Sequence, residues 1–185
     1  MANYPKFKII KMKKILIFLS FIAILSSCGD PKRQAAVDAI KANELVLTKD
    51  LTKIDPKFAN DLIKQYDSFF AAYPKDTLSA SMLFKAADLS RGIGSFGKAI
   101  KYWGDLGEFF PNYNKTPDAA FLQAFTFEND LGDKEQAKHY YQKFLEKYPN
   151  HTFAADAKKS LELIDMPMEQ IIKKFEEQNK AQTEK

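Results

Sequence analysis

The chain has 185 residues, of which 45% are hydrophobic and 14% aromatic, which is enough apolar material for the core of one folded domain. Its formal net charge of +4 does not indicate a nucleic-acid-binding protein, because five of its lysines precede the first acidic residue, Asp30. Without residues 1–27, the remaining 23 of the 28 basic residues nearly balance the 24 acidic residues.

The N-terminal residues have the pattern of an export signal. Lys11 to Lys14 form a basic start, and the apolar run Ile15–Leu25 has the length of a signal-peptide core but is short for a membrane span. The run ends in Leu25-Ser-Ser-Cys28, which places an aliphatic residue and two small residues before a cysteine. This order resembles the lipobox of bacterial lipoproteins. The alternative is an uncleaved signal-anchor helix with an incidental cysteine.

The resemblance to bacterial lipoproteins implies how this N-terminus is processed. Residues 1–27 would be a cleaved signal peptide, Cys28 would carry the acyl chains, such as palmitate, that hold the protein on a membrane, and residues 28–33 would be a short linker. Met12 is an alternative start of the chain. Because Gly29 rather than aspartate follows the cysteine, the expected location is the outer membrane of a bacterial cell envelope, facing the periplasm.

Three segments further along the chain share one pattern of residues. The repeated positions are Leu62, Tyr66, Phe69 and Pro74, then Ala99, Trp103, Leu106 and Pro111, then Ala137, Tyr141, Phe144 and Pro149. Spacings of four and three residues place the first three positions of each set on one face of a helix, and the proline ends that helix. Each segment is therefore predicted to be the second helix of a two-helix unit.

The sequence before the last two repeated segments predicts the first helices of their units. Thr77–Arg91 and Pro117–Leu131 carry small and apolar residues at helical spacing, so that a neighbouring helix can approach closely. Gly92–Gly97 and Gly132 suit the turns between paired helices. Further helices are predicted at Lys32–Thr48, Pro56–Tyr73, Phe153–Ile164 and Pro167–Asn179. The predicted helical domain spans residues 34–179, a polar tail follows at residues 180–185, and no strand is predicted.

The repeated spacing, with a glycine at the turn, resembles the second half of the tetratricopeptide repeat (TPR) across Pro56 to Ile164. The resemblance implies an all-α, right-handed superhelix of about three helix-turn-helix units plus C-terminal capping helices. The units depart from the family pattern, because they exceed the usual length of about 34 residues and the first one has Leu62 where alanine is expected. Longer units that end in an aromatic-proline pair resemble those of BamD-like outer-membrane assembly lipoproteins.

Few residues of the sequence point to catalysis, a metal or a cofactor. Cys28 is the only cysteine, which excludes a disulfide within one chain, and His139 and His151 are too few for a histidine-rich metal site. Gly92–Gly97 satisfies the G-x-G-x-x-G pattern, but that motif binds dinucleotides only after a strand, and a turn between repeat helices is the favoured interpretation. The sequence therefore predicts a protein that is not an enzyme, without catalytic residues, metal or cofactor.

The remaining candidate for function is the surface of the repeat domain. The resemblance to TPR proteins implies a concave face, lined by first helices, that holds a peptide from a partner protein. The groove positions implied by the resemblance are Phe84, Asp88, Arg91, Leu122, Thr126 and Asn129. The alternative for these six residues is an inert, solvent-exposed face.

Three functions remain open from the sequence. The favoured one is a cell-envelope lipoprotein that acts as a protein–protein interaction scaffold in outer-membrane assembly or envelope maintenance. Its partner would be a peptide or a subunit of an envelope complex, and neither nucleic acid nor a small-molecule substrate is expected. The alternatives are a small-ligand-binding or catalytic periplasmic lipoprotein, and a self-associating structural lipoprotein.

Overall fold

The computed structural model describes residues 30–48 and 54–183, and every regular element in these ranges is an α-helix. The helices are α1 (Pro31–Thr48), α2 (Pro56–Ala72), α3 (Thr77–Gly92), α4 (Phe96–Phe109), α5 (Thr116–Asn129), α6 (Lys134–Lys147), α7 (Ala154–Leu163) and α8 (Met168–Thr183). The all-α prediction is confirmed, and the helix order is consistent with a TPR-like helical superhelix. The predicted signal peptide and Cys28 lie outside the described residues.

The chain divides after Ala42 into two compact units, and α1 contributes residues to both. In the first unit, α1 begins next to Asp30, whose carboxylate accepts the backbone N–H of Lys32 at 2.9 Å. In the second unit, which starts at Asn43, each helix from α2 to α6 packs against the next one along the chain. All sites described below lie in this second unit.

Aspartates begin three helices of the second unit. The carboxylates of Asp55, Asp76 and Asp133 accept backbone N–H groups of the first turns of α2, α3 and α6, at 3.0, 2.9 and 3.1 Å. A short acceptor side chain at this position satisfies one of the N–H groups that have no partner within the helix. The helix starts are therefore fixed by local sequence.

The aromatic-proline pairs end α2, α4 and α6. Tyr73, Phe110 and Tyr148 directly follow these helices and share nearly one backbone conformation, with φ of −132°, −132° and −133° and ψ of 59°, 58° and 55°. Proline disfavours the helical conformation for the residue before it, which explains why each helix stops there. The predicted role of the three prolines is confirmed.

The three predicted apolar stripes form the core of the second unit. Their residues are at most 3% exposed: Leu62, Tyr66, Phe69, Ala99, Trp103, Leu106, Ala137, Tyr141 and Phe144. Phe121 of α5, the first helix of its unit, packs onto the third stripe. Its ring centroid lies 5.7 Å from that of Tyr141 and 5.6 Å from that of Phe144. The prediction that each repeated set shares one helix face agrees with this burial.

Helix α8 forms the C-terminal end of the described residues. Helix α8 runs to Thr183, so that part of the predicted polar tail is helical. Met168, Ile172 and Phe175 of α8 are 66%, 52% and 38% exposed, so this apolar stripe is largely open to solvent. No helix in the described ranges is long and apolar enough to cross a membrane.

Candidate functional site

Three of the six predicted groove residues come together at one pocket. Asp88 and Arg91 on α3 and Leu122 on α5 line a pocket of about 480 Å³, hereafter the α3–α5 pocket. Its wall is completed by Gly92, Gly94, Phe96, Trp103 and Asp130. The helical pairing thus places side chains from two successive units around one opening.

Arg91 is held in place by an ion pair that links the two units. Its Nε and Nη2 atoms donate to the carboxylate of Asp130 at 2.6 and 3.3 Å, and its guanidinium lies 5.0 Å from the ring centroid of Phe125. Two hydrogen bonds and an aromatic face restrict the side chain strongly. A partner that contacts Arg91 would therefore meet a charge in a nearly fixed position.

Asp88 belongs to a second pocket as well. This pocket, of about 400 Å³, is hereafter the α1–α3 pocket, and its lining is mostly apolar, with Leu47, Ile54 and Leu89 among the contributing residues. Partial burial raises the pKa of the Asp88 carboxyl above its usual range, although the positive charges of Lys115 and Arg91 oppose the rise. The two pockets therefore meet at a carboxylate that has lost part of its hydration.

Glu44 organises the polar edge of the α1–α3 pocket. Its Oε1 atom accepts the hydroxyl of Tyr66 at 2.9 Å and the ammonium of Lys85 at 2.8 Å. Burial and the neighbouring Glu44 carboxylate raise the pKa of Tyr66, so that its hydroxyl remains a donor. Glu44 and Lys85 were not predicted as site residues, and neither was Asp130. Asp130 carries the opposite charge to Arg91 and lies about one repeat length after it in the sequence. This spacing was the signal that could have identified Asp130 as a site residue.

The other three predicted groove residues do not line these pockets, and two of them are corrected. Thr126 is fully buried, and its backbone carbonyl accepts the N–H groups of both Asp130 and Leu131 at 3.1 Å. Phe84 is 8% exposed and is covered by Lys115, whose Nζ lies 4.8 Å from its ring centroid. Asn129 is exposed, but its amide donates to the carbonyl of Phe125 at 3.2 Å.

The glycine-rich segment is a turn, as predicted. It connects the end of α3 to the start of α4, and Gly94 adopts a positive φ of 76°. The N–H groups of Gly94 and Ser95 donate to the carbonyls of Arg91 and Ser90 at 3.0 and 2.8 Å. These donors are used within the turn and do not form a cradle for phosphate.

The histidines take part in ordinary packing and pairing. His151 Nε2 lies 3.4 Å from an Asp118 oxygen, and its Nδ1 accepts the N–H of Phe153 at 3.4 Å. His139 packs edge-on against the ring of Tyr140. Among the described residues, no group of three or more His, Cys, Asp or Glu side chains is arranged to hold a metal ion.

The helical pair α5–α6 also carries a recognisable sequence signature. Residues 118–151 match the tetratricopeptide repeat profile. The matched range begins in the first turn of α5, includes all of α6 and ends at His151. The match supports a TPR protein, and such repeats generally mediate binding to protein partners in a typically non-catalytic fold. No curated protein matches the chain.

Proposed function

We propose that this chain is a cell-envelope lipoprotein, anchored through Cys28, whose TPR domain is a scaffold for a protein partner in outer-membrane assembly or envelope maintenance. The observation that carries the proposal is the joining of the α3–α5 and α1–α3 pockets at Asp88. The lipobox pattern supports the anchor, and Gly29 directly after Cys28 supports its placement on the outer membrane, facing the periplasm. Repeat units that end in aromatic-proline pairs support the role in outer-membrane assembly.

The two pockets suit a peptide segment better than a small molecule. The α1–α3 pocket can take an apolar side chain, while Asp88 and Arg91 offer charges of both signs to polar groups along the same segment. Because the Asp130 ion pair already fixes Arg91, little side-chain entropy is lost when a partner binds. A membrane anchor would keep this surface close to envelope partners.

The test of the scaffold is crosslinking followed by affinity purification of the full chain from its native envelope. Asp88→Lys and Leu122→Glu place unfavourable charges in the α3–α5 pocket. Leu131→Glu is the matched control, because Leu131 is 48% exposed and lines neither pocket. We expect one reproducible set of partners that both pocket variants lose and that the control keeps. Recovery of the same partners with all variants would contradict the assignment of the surface.

The test of the anchor is the size and mass of the N-terminal fragment. The proposal requires a cleaved chain that begins at an acylated Cys28 and partitions into the detergent phase. Cys28→Ala should accumulate as an uncleaved precursor that still contains the apolar run. If the unaltered chain and the variant both keep their first 27 residues, the segment is a signal anchor and the lipoprotein assignment is wrong.

A further inference from the structure

A third pocket lies among α4, α5 and α6, and the proposed groove does not use it. It has a volume of about 270 Å³ and is hereafter the lysine pocket. Its side chains include Trp103, Thr116, Gln123, Lys143, Lys147 and Tyr148. At 100° per residue, Thr116 and Gln123 project from a different side of α5 than Leu122 of the α3–α5 pocket, so the two openings are separate.

Two buried polar groups at the lysine pocket have no hydrogen-bond partner in the described part of the chain. They are the indole Nε1 of Trp103, a residue that is 1% exposed, and the hydroxyl of Tyr148. Both groups can donate a hydrogen bond, and an indole N–H can only donate. A buried donor without a partner costs about 1–3 kcal/mol, so such groups call for a physical reason.

The neighbouring polar side chains use their donors on backbone carbonyls, and neither accepts a hydrogen bond from Trp103 or Tyr148. Thr116 Oγ1 donates to the carbonyl of Phe110 at 2.7 Å, and Gln123 Nε2 donates to the carbonyl of Ile100 at 2.8 Å. Trp103 also borders the α3–α5 pocket, so its N–H alone does not identify the lysine pocket. Tyr148 lines the lysine pocket and neither of the other two pockets described above.

The charge of the lysine pocket has one sign. Lys143 and Lys147 lie one helical turn apart on α6 and are exposed, and none of the lining residues is acidic. Their ammonium groups lie 5.6 and 5.4 Å from the ring centroids of Tyr140 and Tyr148, which keeps both cations next to the pocket wall. Two cations beside unpaired donors form a surrounding that favours an anion.

We propose that the lysine pocket binds a small anionic oxygen group, a carboxylate or a phosphate. Tyr148 and Trp103 donate hydrogen bonds to its oxygens, and Lys143 and Lys147 balance its charge at the mouth. The volume of the pocket is below the range of about 300–1,000 Å³ typical of pockets for whole ligands, so it admits one such group. This site is additional to the proposed scaffold and does not depend on it.

The experiment follows the indole N–H signal of the ¹⁵N-labelled full chain in a neutral detergent. Trp103 is the only tryptophan, so a single indole signal reports on the site. Inorganic phosphate and acetate are titrated separately against sodium chloride of equal ionic strength. We expect a saturable shift of the signal, and the anion that binds more tightly identifies a phosphate or a carboxylate as the natural group.

Variants locate the site. Lys143→Gln with Lys147→Gln should weaken binding about tenfold, whereas Lys57→Gln with Lys64→Gln, a matched pair of exposed lysines on α2, should leave it unchanged. Gly107→Leu should block the pocket and still fold, since a Cβ atom added at this helical glycine of the pocket wall meets no neighbouring atom within 4 Å. Tyr148→Phe should weaken binding without lowering the melting temperature.

Several outcomes would overturn the proposal. One is the absence of a saturable shift beyond the effect of chloride. Another is equal weakening by both lysine pairs, which would show unspecific screening of charge. A third is loss of binding in Arg91→Gln but not in the Lys143/Lys147 variant, which would place the anion in the α3–α5 pocket.

Discussion

Hydroxyl groups reinforce two of the three turns that follow the aromatic-proline helices. Thr116 Oγ1 donates to the carbonyl of Phe110, and Ser79 Oγ donates to the carbonyl of Tyr73, each at 2.7 Å. Both residues are at most 1% exposed, so water cannot easily replace these bonds. The corresponding position of the third turn is Ala154, which has no hydroxyl. The turns therefore differ in one hydrogen bond although their helix ends share one backbone conformation.

Thr116→Val tests the contribution of this bond at nearly constant volume. We expect the free energy of unfolding to fall by about 1 kcal/mol, because the hydroxyl donor is lost from a buried turn. Urea denaturation followed by circular dichroism measures the change. Thr116→Ser keeps the hydroxyl, so its free energy of unfolding should fall clearly less than that of Thr116→Val. Equal losses in the two variants would assign the effect to packing rather than to the hydrogen bond.

Asp88 should reduce the stability of the fold at neutral pH. Because partial burial raises its pKa in the folded state, the folded chain holds this proton more tightly than the unfolded chain does. Stability is therefore lost as the pH rises through the pKa values of the two states, starting near the ordinary value of 3.8. Asp88→Asn should raise the melting temperature at pH 7, and the gain should vanish below that value. A gain of the same size at both pH values would show that the carboxyl charge is not its cause.

The helices of the second unit were predictable because their signals are local. An aspartate before the first turn and a proline after the last one act through neighbouring backbone atoms, so α2 begins and ends close to its predicted bounds and α6 ends before its predicted proline. The behaviour of α8 was not predictable in this way. Its apolar stripe has helical spacing like the buried ones, and only tertiary packing determines that Ile172 stays exposed.

The difference between α4 and α8 gives a direct prediction. Leu106→Ala in α4 should lower the free energy of unfolding by about 2–5 kcal/mol, because the residue is fully buried. Ile172→Ala in α8 should change it by less than about 0.5 kcal/mol, because the side chain is 52% exposed. Chemical denaturation of both variants measures the contrast. A large loss for Ile172→Ala would show that α8 covers the last repeat, as expected of a C-terminal capping helix.

At the scale of the whole molecule, the candidate site depends on residues far apart in the sequence. Arg91 pairs with a carboxylate 39 positions later, and Lys85 pairs with Glu44 41 positions earlier. The resemblance to TPR proteins implied Asp88, Arg91 and Leu122, which line one pocket, but it also implied their repeat equivalents, which do not. It could not show that Thr126 is buried, since burial depends on packing between helices.

The balance of charge along the whole chain leads to a prediction about its attachment. Each lysine or arginine of a basic patch near an anionic membrane contributes about 1 kcal/mol to the binding free energy, and salt weakens this attraction. After residue 27 the basic and acidic residues nearly cancel, so electrostatic attachment of the processed chain should be weak. Washing native membranes with 1 M salt, where the Debye length is about 3 Å, should therefore leave the chain in place, while a neutral detergent should release it. Release by salt alone would show that charges rather than acyl chains hold the protein on the membrane.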